Sequence, residues 1–118
     1  MNSLKTRAKF IIANALQTEH SDGSVLSYNG NEIEVMPYYV DSNKIDEQPT
    51  FDLTVKNPIL HIFALLDDED WKFFLLRTSV IKSTFDGDSS VSLNLLKPMA
   101  IQTSVGSLKS AVDLVISA

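Results

Sequence analysis

The segment Phe73–Leu96 constrains the fold of this chain more than any other part of the sequence. It begins with an apolar run that extends to Val80-Ile81 and continues into the polar stretch DGDSS at residues 86–90. From residue 91 to residue 95, valine or leucine alternates with serine or asparagine, which is the two-residue period of a strand with one buried face. The segment therefore predicts two strands joined by an Asp86-Gly87 turn. An antiparallel sheet, rather than a helical bundle, is then the organising element of the fold.

Two segments near the N-terminus also have clear local signals. Ser3–Gln17 carries apolar residues at the spacing of one helix face, so it predicts an N-terminal helix. Asn29-Gly30 separates two runs of strand type, and it favours the type I′ turn of a tight hairpin because both residues tolerate a positive φ. Pro37 has no N–H to donate, so the second strand of this hairpin is expected to end there or to lie at a sheet edge.

The remaining segments are less distinct. Thr50–Val55 alternates as a strand does, and Ile59–Leu66 is an almost continuous apolar run that fits a buried strand or a buried helix. The neighbouring strands favour a strand for Ile59–Leu66. The tail beyond Pro98 also fits either type, and a helix that starts near Ser107 is favoured. We therefore expect a mainly β (α+β) fold, an antiparallel β-sandwich or partly open barrel with an N-terminal helix and, if the tail is helical, a C-terminal helix.

The length of 118 residues predicts a single domain, 1–118. Within it we expect an N-terminal helix in 1–20, a β-sheet core in 24–97 and a C-terminal segment in 98–118. A fold of this size buries roughly two-thirds of the surface of its unfolded chain. Hydrophobic residues make up 44% of the sequence, so the core needs no metal or disulfide.

Charge and cysteine content argue against several kinds of function. The formal net charge is −5, and an acidic surface repels phosphate backbones, so we expect no nucleic-acid partner. No apolar run approaches the roughly 20 residues of a membrane-spanning helix, and the stretch at residues 10–13 is too short for a signal peptide. We therefore expect a soluble, intracellular protein with no membrane partner. Because cysteine is absent, the chain has no thiolate nucleophile and no cysteine-ligated zinc.

The sequence contains no motif that predicts an active site. His20 and His61 are far apart, and His61 sits in an apolar run that favours a satisfied core histidine. No G-x-S-x-G motif and no phosphate-binding glycine loop is present. The acidic run Asp67–Asp70 fits either a hard-cation site or a solvated turn, and the turn is favoured. Asp86 and Asp88 lack the rest of a calcium loop. We expect no enzyme, no cofactor and no metal site.

The order of elements from Gly30 to Lys97 resembles that of the small head–tail joining proteins of tailed bacteriophages. The pattern of that family runs through a strand, a polar loop, a segment with proline followed by an alternating strand, and a closing hairpin with an Asp-Gly turn. The corresponding segments here are Glu32–Val40, Asp41–Gln48, Pro49–Val55 and Phe73–Leu96. The match covers the middle and late parts of the chain, and it is one of residue types rather than of identities.

The resemblance implies a non-enzymatic structural protein that is found in the virion or in the host cytoplasm. In this role, identical subunits form a ring at the portal vertex, with one face on the head connector and the other on the tail. The partners would be proteins: copies of this chain, and connector and tail proteins. Docking would involve the loop Asp41–Pro49 and the tail after Pro98.

Aromatic and acidic residues near the polar loops complete the predicted interface. Tyr38, Tyr39 and Trp71 lie beside polar loops, and amphipathic aromatic residues of this kind are enriched at interfaces. Core packing at strand ends explains these three residues equally well. The candidate interface residues are Tyr38, Tyr39, Asp41, Lys44, Ile45, Asp46, Glu47, Asp67, Asp68, Asp70 and Trp71.

Three other functions stay open on the sequence alone. A small acidic inhibitor or adaptor would bind one protein partner by placing Asp67–Asp70 in a basic groove, with fast and salt-sensitive association. An enzyme would use the same acids with a divalent metal, which would raise the melting temperature. A structural subunit of some other assembly would have the same sequence features as a head–tail joining protein.

Overall fold

A computed structural model describes residues 3–18, 25–40, 49–53 and 59–117 of the chain. Most of these residues belong to helices or strands. In chain order, the elements are α1 (Ser3–Leu16), β1 (Val25–Tyr28), β2 (Asn31–Val40), β3 (Thr50–Asp52), β4 (Leu60–Asp67), β5 (Asp70–Arg77), α2 (Thr78–Thr84), β6 (Ser90–Ser92), α3 (Leu93–Leu96), β7 (Ile101–Thr103) and α4 (Leu108–Ser117), and a 3-10 turn, Val105–Ser107, precedes α4.

Five strands form the main sheet, in the order β1-β2-β4-β5-β7. Neighbouring strands are antiparallel except β2 and β4, which run parallel. The strands β3 and β6 form a separate antiparallel pair. The expected fold class is confirmed: the fold is α+β and mainly β, with a helix at each end. The main sheet is mixed rather than wholly antiparallel, and it does not close into a barrel.

Each face of the main sheet has its own apolar core. The helices α1 and α4 cover one face, where Ile12 and Val112 pack against the strands. The pair β3–β6 covers the other face together with α2 and α3. In this second core, the ring of Phe51 lies edge-on to that of Phe63, with ring centroids 5.1 Å apart and planes at 68°. The sheet is therefore the middle layer of a three-layer arrangement.

The position of β4 explains the apolar run Ile59–Leu66. Leu60–Leu66 are all buried because β4 lies between β2 and β5 and is covered on both faces. A strand covered in this way shows a continuous apolar run instead of an alternation. The prediction of a strand is confirmed. For the acidic segment Asp67–Asp70, the sequence favoured a turn over a hard-cation site. Asp68 and Glu69 do form a turn that joins β4 to β5, and Asp68 has a φ of 57°.

Both predicted helices are present. The N-terminal helix spans Ser3–Leu16, one residue shorter than the predicted Ser3–Gln17. The C-terminal helix spans Leu108–Ser117 and starts one residue after the expected Ser107. In each helix one apolar face packs on the sheet and fixes the helix there.

The predicted strand pair in Phe73–Leu96 is wrong. The first strand, β5, ends at Arg77, and the next residues form the helix α2. The turn at Asp86-Gly87 is present, with a φ of 82° at Gly87, but it follows a helix. The strand after it, β6, pairs with β3 instead of β5. The alternating residues end in Leu93–Leu96, which is helical.

A switch of periodicity at Thr78 explains this error. Thr78 donates its backbone N–H to the carbonyl of Ile59 at 3.1 Å, beyond the last register pair of β4 and β5. In the residues that follow Thr78 along the chain, Ile81 and Phe85 are buried in the second core. They are four residues apart and thus share one helix face. The apolar run therefore contains both a strand period and a helix period.

The predicted type I′ turn is confirmed. Asn29 and Gly30 have φ values of 51° and 79°, and β1 and β2 pair antiparallel on either side of them. The strand β2 does not end at Pro37 but continues to Val40.

Pro37 nevertheless lies at a local edge, which was the other predicted possibility. The carbonyl of Glu32 accepts the N–H of Ile59, so the even-numbered residues of β2 bond towards β4. The nitrogen of Pro37 consequently points to the opposite side, where the described part of β1 pairs no further than Glu34. No ladder hydrogen bond to β4 is lost at Pro37.

The predicted strand Thr50–Val55 is present as β3 over Thr50–Asp52. Thr54 and Val55 lie outside the described residues. The strand matters for the fold because Phe51 carries the largest side chain that β3 contributes to the second core.

Candidate interaction surface

The predicted interface residues for which the structure gives a position gather at one end of the main sheet. At this end β2 and β4 finish and β5 begins. The register places Tyr39 opposite Leu66, which in turn faces Trp71. The residues at this end are Tyr38, Tyr39, Asp67, Asp68, Asp70 and Trp71, whereas Asp41, Lys44, Ile45, Asp46 and Glu47 lie outside the described residues.

The acidic turn, defined as Asp67–Asp70, forms the tip of the β4–β5 hairpin. Asp68, Glu69 and Asp70 are exposed. The Nζ of Lys72 lies 3.9 Å from the Oδ2 of Asp67, and both side chains are about half exposed. An ion pair of this kind is screened by water and contributes little to stability. The turn carries four carboxylates, so the described part of this end of the sheet is acidic.

The three predicted interface aromatics have different environments. Tyr38 lies edge-on to Phe51, with ring centroids 5.9 Å apart, and is partly buried against the second core. Trp71 stacks on Phe73 at 6.2 Å and packs against the first core. Tyr39 is 54% exposed. Core packing therefore accounts for Tyr38 and Trp71, and Tyr39 is the aromatic of the three that presents most of its ring to solvent.

An apolar groove lies at the other end of β5. The tail after Pro98, which the resemblance implied as a docking part, contributes Met99, Ile101, Leu114 and Val115 to it, but the sequence analysis named none of the groove residues as interface candidates. Its volume is about 370 Å³, and it lies where β5 ends, next to α2, β7 and α4. We call it the β5 groove. The described residues that line it are Leu75, Leu76, Arg77, Val80, Met99, Ile101, Leu114 and Val115.

Several large apolar side chains at the β5 groove are exposed. The exposed fraction is 63% for Leu114, 40% for Ile101 and 38% for Met99. Leu95 is also exposed and lies one helical turn before Met99, because the backbone bonds stay helical as far as Ala100. Exposed apolar groups that cluster in this way mark sites of protein contact more often than isolated ones do.

The two outer strands of the main sheet differ in how their edges are covered. On β1, the carbonyl of Ser27 accepts a hydrogen bond of 2.6 Å from the Oγ1 of Thr18, just after α1. The three-residue strand β7 covers only Phe73–Leu75 of β5, and among the described strands β7 pairs with β5 alone. A strand edge without a paired strand, next to an apolar groove, favours contact with another chain.

A buried polar cluster lies inside the fold, next to a strand that also carries part of the β5 groove. The Nδ1 of His61 is 3.0 Å from the Oγ1 of Thr78, and His61 is 2% exposed. Burial, and secondarily the charge of Lys82, lower the pKa of His61 to about 4. Opposite His61 on β2, the buried Glu34 has its Oε1 3.6 Å from the Nζ of Lys5.

This cluster has the character of a structural element. His61, Thr78 and Glu34 are all buried, so a substrate cannot reach them without local unfolding. The prediction of a satisfied core histidine at His61 is confirmed, while His20 lies outside the described residues. Across the ranges that the structure describes, no group of three or more acidic or histidine side chains is arranged to hold a metal ion.

No protein family, curated protein or solved structure matches this chain. The described helices include none that combines the length and the apolar character needed to cross a lipid bilayer. A functional proposal therefore has to be built on the surfaces of this chain and on the resemblance of its sequence pattern.

Proposed function

We propose that this protein is a non-enzymatic structural subunit that acts through protein–protein contacts, and that its assembly is the head–tail junction of a tailed bacteriophage. The β5 groove carries the first part of the proposal, because it presents exposed leucine, isoleucine and methionine side chains to solvent. The resemblance of the sequence pattern from Gly30 to Val55 supports the second part, whereas Phe73–Leu96 does not form the closing hairpin of that family's pattern.

The energetics of the β5 groove favour coverage by a partner. Full burial of a leucine, isoleucine or methionine side chain contributes about 1.5–3 kcal/mol. Leu114, Ile101 and Met99 are each partly exposed, so their burial together contributes several kcal/mol. Association costs about 4–15 kcal/mol in lost translational and rotational freedom. Burial of these side chains therefore favours binding, but further contacts beside the groove are needed to offset the cost of association.

The acidic turn supplies a second contact surface. It lies at the start of β5, and the β5 groove lies at the end of the same strand. The eight residues of β5 span about 25 Å at about 3.4 Å per residue. A subunit with separate surfaces at opposite ends can contact two neighbours at once, as a joining protein must.

The test of this proposal is the association of the full chain with phage structures. Tailless heads, free tails and the purified chain would be mixed and separated by sedimentation, with the chain followed by immunoblot. We expect the wild-type chain to sediment with heads or tails and the exposed-groove variant Leu114→Ser to remain in the supernatant. Phe10→Ser is the matched control, because Phe10 is also exposed and is not among the described residues that line the β5 groove. Failure of the wild-type chain to bind either structure contradicts the head–tail role.

A second function, an inhibitor or adaptor for one basic protein, is favoured by the exposed carboxylates of the acidic turn. Such a protein would act as a monomer, and its association rate would fall steeply as salt is added. Replacing the four acids by asparagine and serine would then slow association. An unchanged rate with a basic partner would rule this function out.

A further inference from the structure

We infer that the β5 groove binds the acidic turn of a second copy of this chain. The inference rests on the proposed function, because it names the partner of a surface that a structural subunit would use. It also predicts how subunits follow one another in an assembly.

The chemistry of the β5 groove fits an occupant with both apolar and acidic groups. Its walls are apolar, and Arg77 is the charged residue among the described lining residues. A hydrogen bond of 3.2 Å from Arg77 Nη1 to the carbonyl of Val115 fixes the guanidinium beside α4. The groove therefore combines apolar contact area with positive charge.

The opposite end of the molecule offers the complementary groups. Asp68 and Glu69 form the narrow tip of a hairpin, with Asp70 exposed beside them. In β2, Tyr39 is exposed and lies opposite Leu66, the residue before the acidic turn. This end can thus bring carboxylates towards a cation and an aromatic ring towards apolar side chains.

Charge favours this contact over a two-fold contact of the groove with itself. A two-fold contact of one groove with another would bring the positive charge of Arg77 from both copies into the same apolar interface, where like charges are unfavourable. Placing the acidic turn in the groove pairs opposite charges instead. It also offsets part of the repulsion between copies that each carry a net charge of −5.

The contact joins two different surfaces, so it leaves one groove and one acidic turn open at the ends of any pair. Such a heterologous contact adds further copies until a ring closes or a filament grows. A two-fold contact would stop at the dimer. The two arrangements therefore differ in a property that can be measured.

The test uses two variants of the full chain. The turn variant carries Asp68→Lys and Glu69→Lys, and the groove variant carries Leu114→Ser. All three side chains are exposed, so both variants should keep the fold, which circular dichroism and melting temperature would verify. Native mass would be measured by light scattering for each variant alone and for an equimolar mixture.

We expect each variant alone to lose self-association by roughly tenfold or more, because the lysines of the turn variant meet Arg77 and the groove variant lacks the apolar contact of Leu114. In the mixture, the turn variant still has an intact groove and the groove variant an intact acidic turn. That one contact can form, whereas the lysines of the turn variant would face Arg77 in the groove that lacks Leu114, so the second contact is blocked. The mixture should therefore give a species of twice the chain mass of 13.1 kDa and nothing larger.

Three outcomes would overturn the inference. The first is that the turn variant alone keeps the wild-type native mass, which would mean that the groove has another occupant. The second is that the mixture remains monomeric while the wild-type chain assembles. The third is that the wild-type chain stays at 13.1 kDa at every concentration. None of these decides the proposed function, which is tested separately by binding to phage heads and tails.

Discussion

Tyr28 and Asp113 are joined by a hydrogen bond of 2.5 Å, in which Tyr28 Oη donates to Asp113 Oδ1 across 85 residues of sequence. The Nζ of Lys109 lies 3.3 Å from Asp113 Oδ2 and 5.8 Å from the centre of the Tyr28 ring. These contacts attach α4 to β1, at the edge of the sheet opposite β7. They hold in place the helix whose exposed Leu114 forms one wall of the β5 groove.

Removal of this hydrogen bond should destabilise the protein. We expect Tyr28→Phe to lower the melting temperature by a few degrees, because the phenyl ring keeps the packing and only the hydroxyl contact is lost. The hydrogen bond from Tyr28 is the main cause of the lowered pKa of Asp113, so the variant should also raise that pKa. Thermal denaturation and NMR titration of the carboxyl would measure the two effects. Equal melting temperatures for the wild-type chain and Tyr28→Phe would contradict the attachment role.

Acid should destabilise the fold through His61. The folded-state pKa of about 4 lies below the ordinary value of 6.5, so the unfolded chain takes up the proton first. The stabilising contribution is complete above pH 6.5 and is lost as the pH falls towards 4. Each pKa unit corresponds to about 1.4 kcal/mol, so the total loss is roughly 3 kcal/mol.

His61→Asn is the control for this prediction. Asparagine does not titrate and keeps a polar group near Thr78 Oγ1. Urea denaturation between pH 7 and about 4 would give the free energy of unfolding for both chains. We expect the wild-type chain to lose more stability than His61→Asn over this range. Parallel pH profiles would show that His61 is not the titrating group.

Local sequence signals predicted the elements that depend on local chemistry. Asn29-Gly30 specifies its turn because few other residues accept a positive φ at both positions. The helix at Ser3–Leu16 was predicted because its apolar residues fall on one face. The strand Leu60–Asp67 was predicted from its neighbours, and its burial on both faces explains why its own period was uninformative.

The elements that depend on distant contacts were not predictable in the same way. The parallel pairing of β2 with β4 joins residues separated by a long crossover, and no local signal specifies it. Residues 91–96 show the same difficulty. Val91 is buried in β6, while Leu93 and Leu96, three residues apart, face the second core from α3. Val91, Leu93 and Leu95 fit the two-residue period of a strand, whereas Leu93 and Leu96 fit one face of a helix. The pairing of β6 with β3 decides between them.

The candidate interaction surfaces also include residues that the sequence predicts and residues that it does not. The acidic turn was visible as a run of carboxylates, and the structure gathers it with Tyr39 at one end of the sheet. The β5 groove combines Val80, Met99 and Leu114 from three separate segments. No spacing rule connects such residues, so only the tertiary structure brings them together.

The glycine at the hairpin turn should be required for its backbone conformation. Gly30 has a φ of 79°, and a Cβ placed there would meet no atom within 4 Å, so the cost of Gly30→Ala is backbone strain alone. We expect a destabilisation of about 1–2 kcal/mol by urea denaturation. Gly106→Ala is the matched control, because Gly106 also has open space and no positive φ. A similar effect at both glycines would contradict the turn assignment.

Phe51 should be essential for the second core. It is buried and contacts the rings of both Tyr38 and Phe63. We expect Phe51→Ala to cost about 3–5 kcal/mol of unfolding free energy, since it leaves a cavity between the small sheet and the main sheet. The exposed Leu95 serves as the reference position, where Leu95→Ala should change stability by less than about 0.5 kcal/mol. Chemical denaturation of both variants would measure the two losses of unfolding free energy. A larger loss at the exposed reference position than at Phe51 would contradict this role of Phe51.

The central claim is that this chain assembles through exposed surfaces of its own. The most direct measurement is the native mass of the full chain by size exclusion with light scattering, over the widest accessible concentration range, alone and with phage heads or tails. Leu114→Ser would be measured in parallel. The account predicts wild-type species larger than the 13.1 kDa monomer, alone or on the added structures, and a monomeric Leu114→Ser chain with an unchanged melting temperature. A wild-type chain that stays at 13.1 kDa throughout and binds neither structure would contradict it.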